Sequence, residues 1–323
     1  MKDIYVKTAA ALLLGFLVPG AVIGLAKSPQ LPQNKSTLSS TAATNEQTEL
    51  PSRIWVRTED GETVQMDLEA YLVGVILAEM PTSYEPAALQ AQAVAARTYA
   101  LKRQQEIRHP QGAVCTDAGC CQAYVSQEAY LDGLGYEEDI LLAKSAVDAT
   151  TGWVVTYDDR YIEATYFHCS GGQTEEAVAV WGVDYPYLQA VESPGEEEME
   201  HFTDSIFYTK EELETRLNRK LYGPASSWVG WTSYTAGGGV EKIYLAGVGY
   251  SGAELRRMLE LNSTAISIEP EDDGLVFTTL GKGHRVGMSQ SGAQVMALQG
   301  RSWQEIIAHY YPGTRIDKIE EVG

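Results

Sequence analysis

Residues 67–103, DLEAYLVGVILAEMPTSYEPAALQAQAVAARTYALKR, read as two helices separated by a short turn that prolines bound on both sides. Asp67 can accept from the free amides of a first turn, and Leu68, Leu72, Val75, Ile76 and Met80 recur at helical spacing until Pro81 stops the run. Pro86 suits the first position of a second helix, whose Leu89, Ala93, Ala96 and Ala100 form a stripe small enough for close packing. Glu79 falls at the joint. The unpaired carbonyls of a last helical turn disfavour an ionised carboxylate, and Ile76, Leu77, Ala78 and Met80 would desolvate it, so both effects raise its pKa. A carboxyl held protonated near neutral pH is what general-acid chemistry on a glycosidic or acyl bond requires. On residue type alone, an exposed helix-end glutamate is the commoner outcome, so the rest of the chain has to decide between them.

Upstream, residues 8–26 form an uncharged apolar segment preceded by Lys2 and Lys7. The expected organisation is a cytoplasmic tail at 1–7, a transmembrane anchor at 8–26 and a flexible Ser/Thr-rich tether at 27–50. Gly24-Leu25-Ala26 could also end a cleaved signal, but the span is longer than a signal core needs. Either way residues 51–323 are exported. The anchor reading makes the protein single-pass in the cell membrane with an extracytoplasmic catalytic domain. A net charge of −20 argues against nucleic acid and against an anionic membrane surface as partners. The run Glu196, Glu197, Glu198 and Glu200 reads as a solvated loop.

The exported part has an α+β pattern, a mixed helical and β-hairpin core. Residues 53–66 predict a hairpin turning at Glu59-Asp60-Gly61, residues 137–149 a helix, and the runs flanking Asp158-Asp159 a second hairpin. Thr209 with Glu212, Ser251 with Glu254 and Ser302 with Glu305 each match a capping box, the first two opening helices over KEELETRLNRKL and GAELRRMLEL. Residues 201–265 differ in texture and read as an inserted smaller lobe forming the second wall of a substrate cleft.

Two groups of residues carry further chemistry. His109, Cys115, Cys120 and Cys121 are zinc-ligand types within one turn-rich loop. In an exported domain a Cys115–Cys121 disulfide is the alternative. The adjacency of Cys120 and Cys121 favours His109, Cys115 and Cys121 as the main ligands, with Cys120 as a fourth, in a structural rather than catalytic site. GKGHRVG at 281–287 lacks the lysine and hydroxyl order of a phosphate loop and reads as a tight loop presenting His284. Ser170 or Ser289 could serve a Ser-His-Asp hydrolase, although neither lies in a G-x-S-x-G elbow.

The ordered segments YLVGVILAEMP, LQAQAVAARTYAL, VCTDAGCCQAY, YFHCSGGQTEEA, YLQAVESPG, GKGHRVGMSQSGAQVMA and HYYPGTRI together resemble the stage II sporulation protein D family. The resemblance runs from about residue 51 to 316 and implies a lytic transglycosylase that cleaves the bond between N-acetylmuramic acid and N-acetylglucosamine, leaving a 1,6-anhydro end. It places the catalytic acid on Glu79 and implies that Gln92, Arg97, Tyr166, Ser170, His284, Met288, Ser289 and Gln290 line the sugar sites. No cofactor is then required for catalysis, zinc being structural. One carboxyl suffices when the sugar's own 6-hydroxyl is the nucleophile, whereas a hydrolase needs two. The implied partners are peptidoglycan glycan strands freed of stem peptides, a membrane-anchored amidase/endopeptidase and a polytopic membrane protein of the engulfment machinery. Arg285, Ser291 and Cys120 depart from the residues usual in the family, glycine, tyrosine and histidine respectively. Rival readings are a non-catalytic wall-binding amidase enhancer and a hydrolytic muramidase using Glu69, Glu85 or Glu175 as second carboxylate.

Overall fold

The two helices form where expected and carry the rest of the fold. In the computed structural model, which describes residues 53–322 except Leu134, the first helix is Leu68–Glu79 and the second Pro86–Glu106. Residues 1–52, where the expected tail, membrane anchor and tether fall, lie outside the described residues. Among the described residues no helix is long and apolar enough to cross a membrane. Asp67 caps the first helix by accepting from the Ala70 amide at 2.9 Å. The second helix enters with Pro86 in its first turn and leaves through Ile107 in the left-handed region.

Around this pair the architecture is α+β with several small sheets. The hairpin Arg53–Arg57/Thr63–Asp67 is antiparallel, and Val114–Cys115 joins Arg53–Arg57 in parallel on its other side. Helices Glu137–Ala149, Gln290–Leu298 and Trp303–Tyr310 pack against the second helix. Trp153–Tyr157 pairs antiparallel with Arg160–Tyr161 across Asp158 and Asp159, both at positive φ, and with Arg315–Lys318 on the other edge. The second helix is buried along most of its length. Ala91, Ala93, Val94, Ala95, Ala96 and Ala100 are fully buried, and the small side chains let three neighbours approach it.

Arg97 sits inside this core. Its guanidinium donates to Glu69 at 3.1 and 2.5 Å and to the carbonyls of Trp153 at 3.1 Å and Val147 at 3.5 Å, tying first helix, second helix and the start of a strand together. The resemblance implied that it lines the sugar sites, but these contacts bury it between the helices and away from the cavity, so that expectation is corrected.

Residues 203–280 hold a second hydrophobic cluster, from Tyr208 to Phe277. The cluster runs past residue 265 because Gly274–Leu280 is the central strand between Thr203–Thr209 and Ala265–Pro270. The three capping boxes form as read, at Thr209, Ser251 and Ser302, but the first two helices stop early, at Arg216 and Met258. The glycine-rich stretch between them belongs to a three-stranded sheet, Val229–Tyr234, Val240–Leu245 and Val248–Tyr250.

Candidate active site

Glu79 is the last residue of the first helix and opens into a cavity of about 720 Å³. Its Oε1 accepts from the backbone amide of Ala123 at 2.7 Å. Burial raises its pKa above the ordinary glutamate value, against the lowering pull of the Ala123 amide and of the Gln290 and Tyr166 side chains beside it. The Ala123 amide reaches Glu79 because the following residues lie tight on the first helix. The Val125 amide donates to the Gly74 carbonyl at 3.2 Å, and a Cβ at Gly74 would stand 2.4 Å from the Tyr124 ring, so only glycine permits the approach.

Gln122, one residue earlier, fixes a second part of the wall. It donates to the Tyr71 hydroxyl at 3.0 Å and accepts from the Tyr166 hydroxyl at 2.9 Å. Burial and the nearby Glu79 carboxylate hold the Tyr166 hydroxyl protonated, its pKa far above the phenol range. His284 lies between Phe167 and Trp181, with ring centres 5.6 and 5.3 Å away, and its Nδ1 accepts the Val286 amide at 3.1 Å. Burial and the Arg256 charge push its pKa down to about 4, so this imidazole is neutral near pH 7.

Tyr166 and His284 line the same cavity as Glu79. The other expected sugar-site residues are placed differently. Gln92 is fully buried, with neither amide atom hydrogen-bonded, and Met288 is buried too. Ser170 and Ser289 are buried and donate to opposite oxygens of Glu196, at 2.9 and 2.8 Å. Gln290 is 4 % exposed and lies against the Glu79 carboxyl from the start of its helix. None of the described residues of the 201–265 lobe lines the cavity; its wall comes instead from the second helix, the cysteine loop, residues 163–185 and the Gly283-His284 loop.

Glu196 corrects the reading of the acidic run. It is fully buried, and its Oε2 accepts from Cys169 Sγ, the Ser170 amide and hydroxyl, and the Gly171 amide, at 3.1, 2.8, 2.9 and 3.2 Å. Its Oε1 accepts from Ser193 at 2.5 Å and Ser289 at 2.8 Å. Three loops distant in sequence thus close on one carboxylate. Neither serine hydroxyl is hydrogen-bonded to a histidine, so the Ser-His-Asp arrangement is not assembled. Of the rival second carboxylates, Glu69 is paired with Arg97, Glu175 is buried against Arg285 at 3.3 Å, and Glu85 does not line the cavity.

Sequence reasoning missed Tyr99, Arg103, Glu106 and Glu163, which all line it. Arg103 stacks over the Tyr99 ring at 4.4 Å and is ion-paired with both Glu163 and Glu106. The signal was present: Tyr99, Arg103 and Glu106 recur at helical spacing on the outgoing turns of the second helix.

The cysteine loop forms the adjoining wall. His109, Cys115, Cys120 and Cys121 each offer one ligand atom, all within 4.8 Å of one another, and could hold a metal. The four cysteines of the chain are unbridged. His109 Nε2 lies 3.4 Å from Cys120 Sγ and 3.5 Å from Cys121 Sγ, and a tetrahedral zinc ion sets nitrogen and sulfur about 3.6 Å apart, so the donors fit. Adjacent Cys120 and Cys121 both turn inward because their amides share the Asp117 carbonyl, at 3.0 and 2.9 Å.

A buried helix-end carboxyl thus opens into a cavity beside a tyrosine, a histidine and a thiol–imidazole cluster on an α+β scaffold. The profile of the family described as Stage II sporulation protein matches residues 57–157. The chain is 35% identical over 270 residues to stage II sporulation protein D of Bacillus subtilis (strain 168), covering 82% of this chain and 78% of that protein. It is 33% identical, with the same coverage, to the protein of that name from Bacillus amyloliquefaciens. An amidase enhancer of Bacillus subtilis is 26% identical over 302 residues, covering 76% of this chain and 40% of that protein. This chain belongs to the stage II sporulation protein D family.

Proposed function

We propose that this chain is a membrane-anchored lytic transglycosylase that cleaves peptidoglycan glycan strands with Glu79 as its acid. The observation that carries this reading is the Glu79 carboxyl itself, buried enough to favour its protonated form yet opening into a cavity of ligand size. In the forward step Glu79 gives its proton to the oxygen leaving the muramic anomeric carbon. The carboxylate so formed takes the proton of the muramic 6-hydroxyl as that oxygen closes on the same carbon. Atoms balance without water, and the product carries a 1,6-anhydro end. The cavity's other carboxylates, Glu106 and Glu163, are both engaged by Arg103, which supports a single free carboxyl.

His109, Cys115, Cys120 and Cys121 would hold zinc as a cross-link of the loop that ends at Ala123, and the proton steps need only the chain's own residues. The substrate in this reading is glycan stripped of stem peptides, presented with a membrane-bound amidase/endopeptidase and a polytopic membrane protein during engulfment, on the extracytoplasmic side.

Likeness to an amidase enhancer supports a second reading, a wall-binding module without catalysis. Peptide-free glycan incubated with the wild type and with Glu79→Gln separates the two. Cleavage should fall at least about 100-fold in the variant while glycan pull-down persists. Mass spectra should show anhydro ends; reducing ends would make the enzyme a hydrolase, and equal cleavage by both proteins would remove Glu79 from the chemistry.

A further inference from the structure

His168 and His201 meet at the edge of the cavity, outside the acid site and apart from the cysteine loop. His168 lines the cavity, and its Nε2 is buried with no hydrogen-bond partner. The two imidazole centres are 5.4 Å apart at 67°. Each ring centre of an Nε2-bound imidazole lies roughly 3.2 Å from its ion, so two on one tetrahedral ion stand about 5 Å apart. Glu200 completes a set of three ligand atoms within 4.8 Å of one another.

The surroundings of His201 are those of a metal ligand. Its Nδ1 lies 3.0 Å from Asp204 Oδ2, and Asn262 Nδ2 donates to that same oxygen at 2.7 Å. Such a carboxylate fixes the Nδ1–H tautomer and turns the Nε2 lone pair outward. Glu200 Oε1 lies 3.3 Å from this Nε2, and Lys282 Nζ approaches it at 3.0 Å. An ammonium therefore sits on the Nε2 lone pair that a cation would take.

We propose that His168, His201 and Glu200 form a second site for a divalent cation of the zinc class, which displaces the Lys282 ammonium. Two nitrogens and one carboxylate oxygen suit zinc and leave a fourth position for water or for an oxygen atom in the cavity. The lysine is a competitor in this arrangement. Removing its charge strengthens metal binding, whereas a cluster held together by the ammonium would gain no metal affinity from its loss.

The purified full chain, stripped of metal and reduced, is titrated with Co²⁺ and with Zn²⁺. The cysteine loop reports itself by intense near-ultraviolet thiolate-to-cobalt bands; the proposed site contributes visible bands without them. The expected result is a second, thiolate-free component that His201→Ala abolishes while the thiolate bands stay. Lys282→Met should tighten that component at least about tenfold, the gain from removing one bound competing charge. Circular dichroism checks that both variants are folded. Absence of the thiolate-free component in the wild type, its survival in His201→Ala, or unchanged or weaker binding in folded Lys282→Met overturns the assignment.

Discussion

Replacing Glu196 with glutamine tests whether a residue inside an acidic run is a keystone of the cleft. Its carboxylate accepts from six donors belonging to three loops, and it is fully buried. The Ser170 and Gly171 amides cannot reverse, so the glutamine oxygen must face them and its NH₂ must face Ser193 and Ser289. Those hydroxyls can rotate to accept, which keeps most contacts but removes the charge that strengthened all six. At about 1 kcal/mol lost per contact the gross cost is about 6 kcal/mol. About half returns because a neutral amide is cheaper to bury than a carboxylate, leaving a net loss of about 3 kcal/mol. For a domain of this size that is roughly 6–12 °C in melting temperature. Urea and thermal unfolding of Glu196→Gln measure it, with Glu197→Gln and Glu198→Gln as exposed controls expected within about 0.5 kcal/mol of wild type. If Glu196→Gln is indistinguishable from those controls, the carboxylate does not hold the loops together.

Other outcomes follow from the same geometry. Because burial raises the folded pKa of Glu79 above its unfolded value, its contribution to stability is fully present below about pH 4.5 and is lost as pH rises through the folded pKa. Glu79→Gln should therefore become progressively more stable relative to wild type from pH 4 to 8, and parallel stability–pH curves would contradict the raised pKa. Chelating metal from the reduced protein should increase hydrogen exchange at residues 109–125 more than at 203–280; uniform protection in both regions would show that no ion cross-links the loop. Ser170→Ala and Ser289→Ala should each retain the chemical step of glycan cleavage in whatever fraction remains folded, since both hydroxyls point at Glu196, and a folded variant without turnover would reinstate a serine nucleophile.

What the sequence made legible was local. The Asp67 cap, the capping boxes at Thr209, Ser251 and Ser302, and the helix ending at Glu79 depend on contacts within four residues, and all form. The inward turn of both Cys120 and Cys121 is also local, but it depends on a shared carbonyl acceptor that spacing does not reveal. Glu196 and Arg97 were misread for the opposite reason. Apart from Ser193, the partners of Glu196 lie 25 to 93 positions away and those of Arg97 28 to 56, so the residue type suggested solvent or cleft while the topology supplied buried donors and acceptors. Arg285 shows the same effect. It stands at φ 65°, where glycine would be at ease, and its guanidinium reaches the carbonyls of Ser170, Gln173 and Gly237 at 2.8 Å each.

That last contact bears on how the 203–280 lobe is attached. Thr203 pairs with Leu280, and the Gly281 amide donates to the Phe202 carbonyl at 2.9 Å, so the chain enters and leaves the lobe through neighbouring strands. Beyond that stem, Arg285 to Gly237, Glu175 to Gly239 and Thr235, and Gln173 to Ala236 clip one hairpin tip to the 170–175 loop. A segment with adjacent ends and its own apolar interior can be lengthened, trimmed or exchanged during evolution with little disturbance to the helices that hold Glu79. The lobe is the part of the protein where lineages can diversify at low cost, and the Arg285 clip marks where a graft would have to be matched.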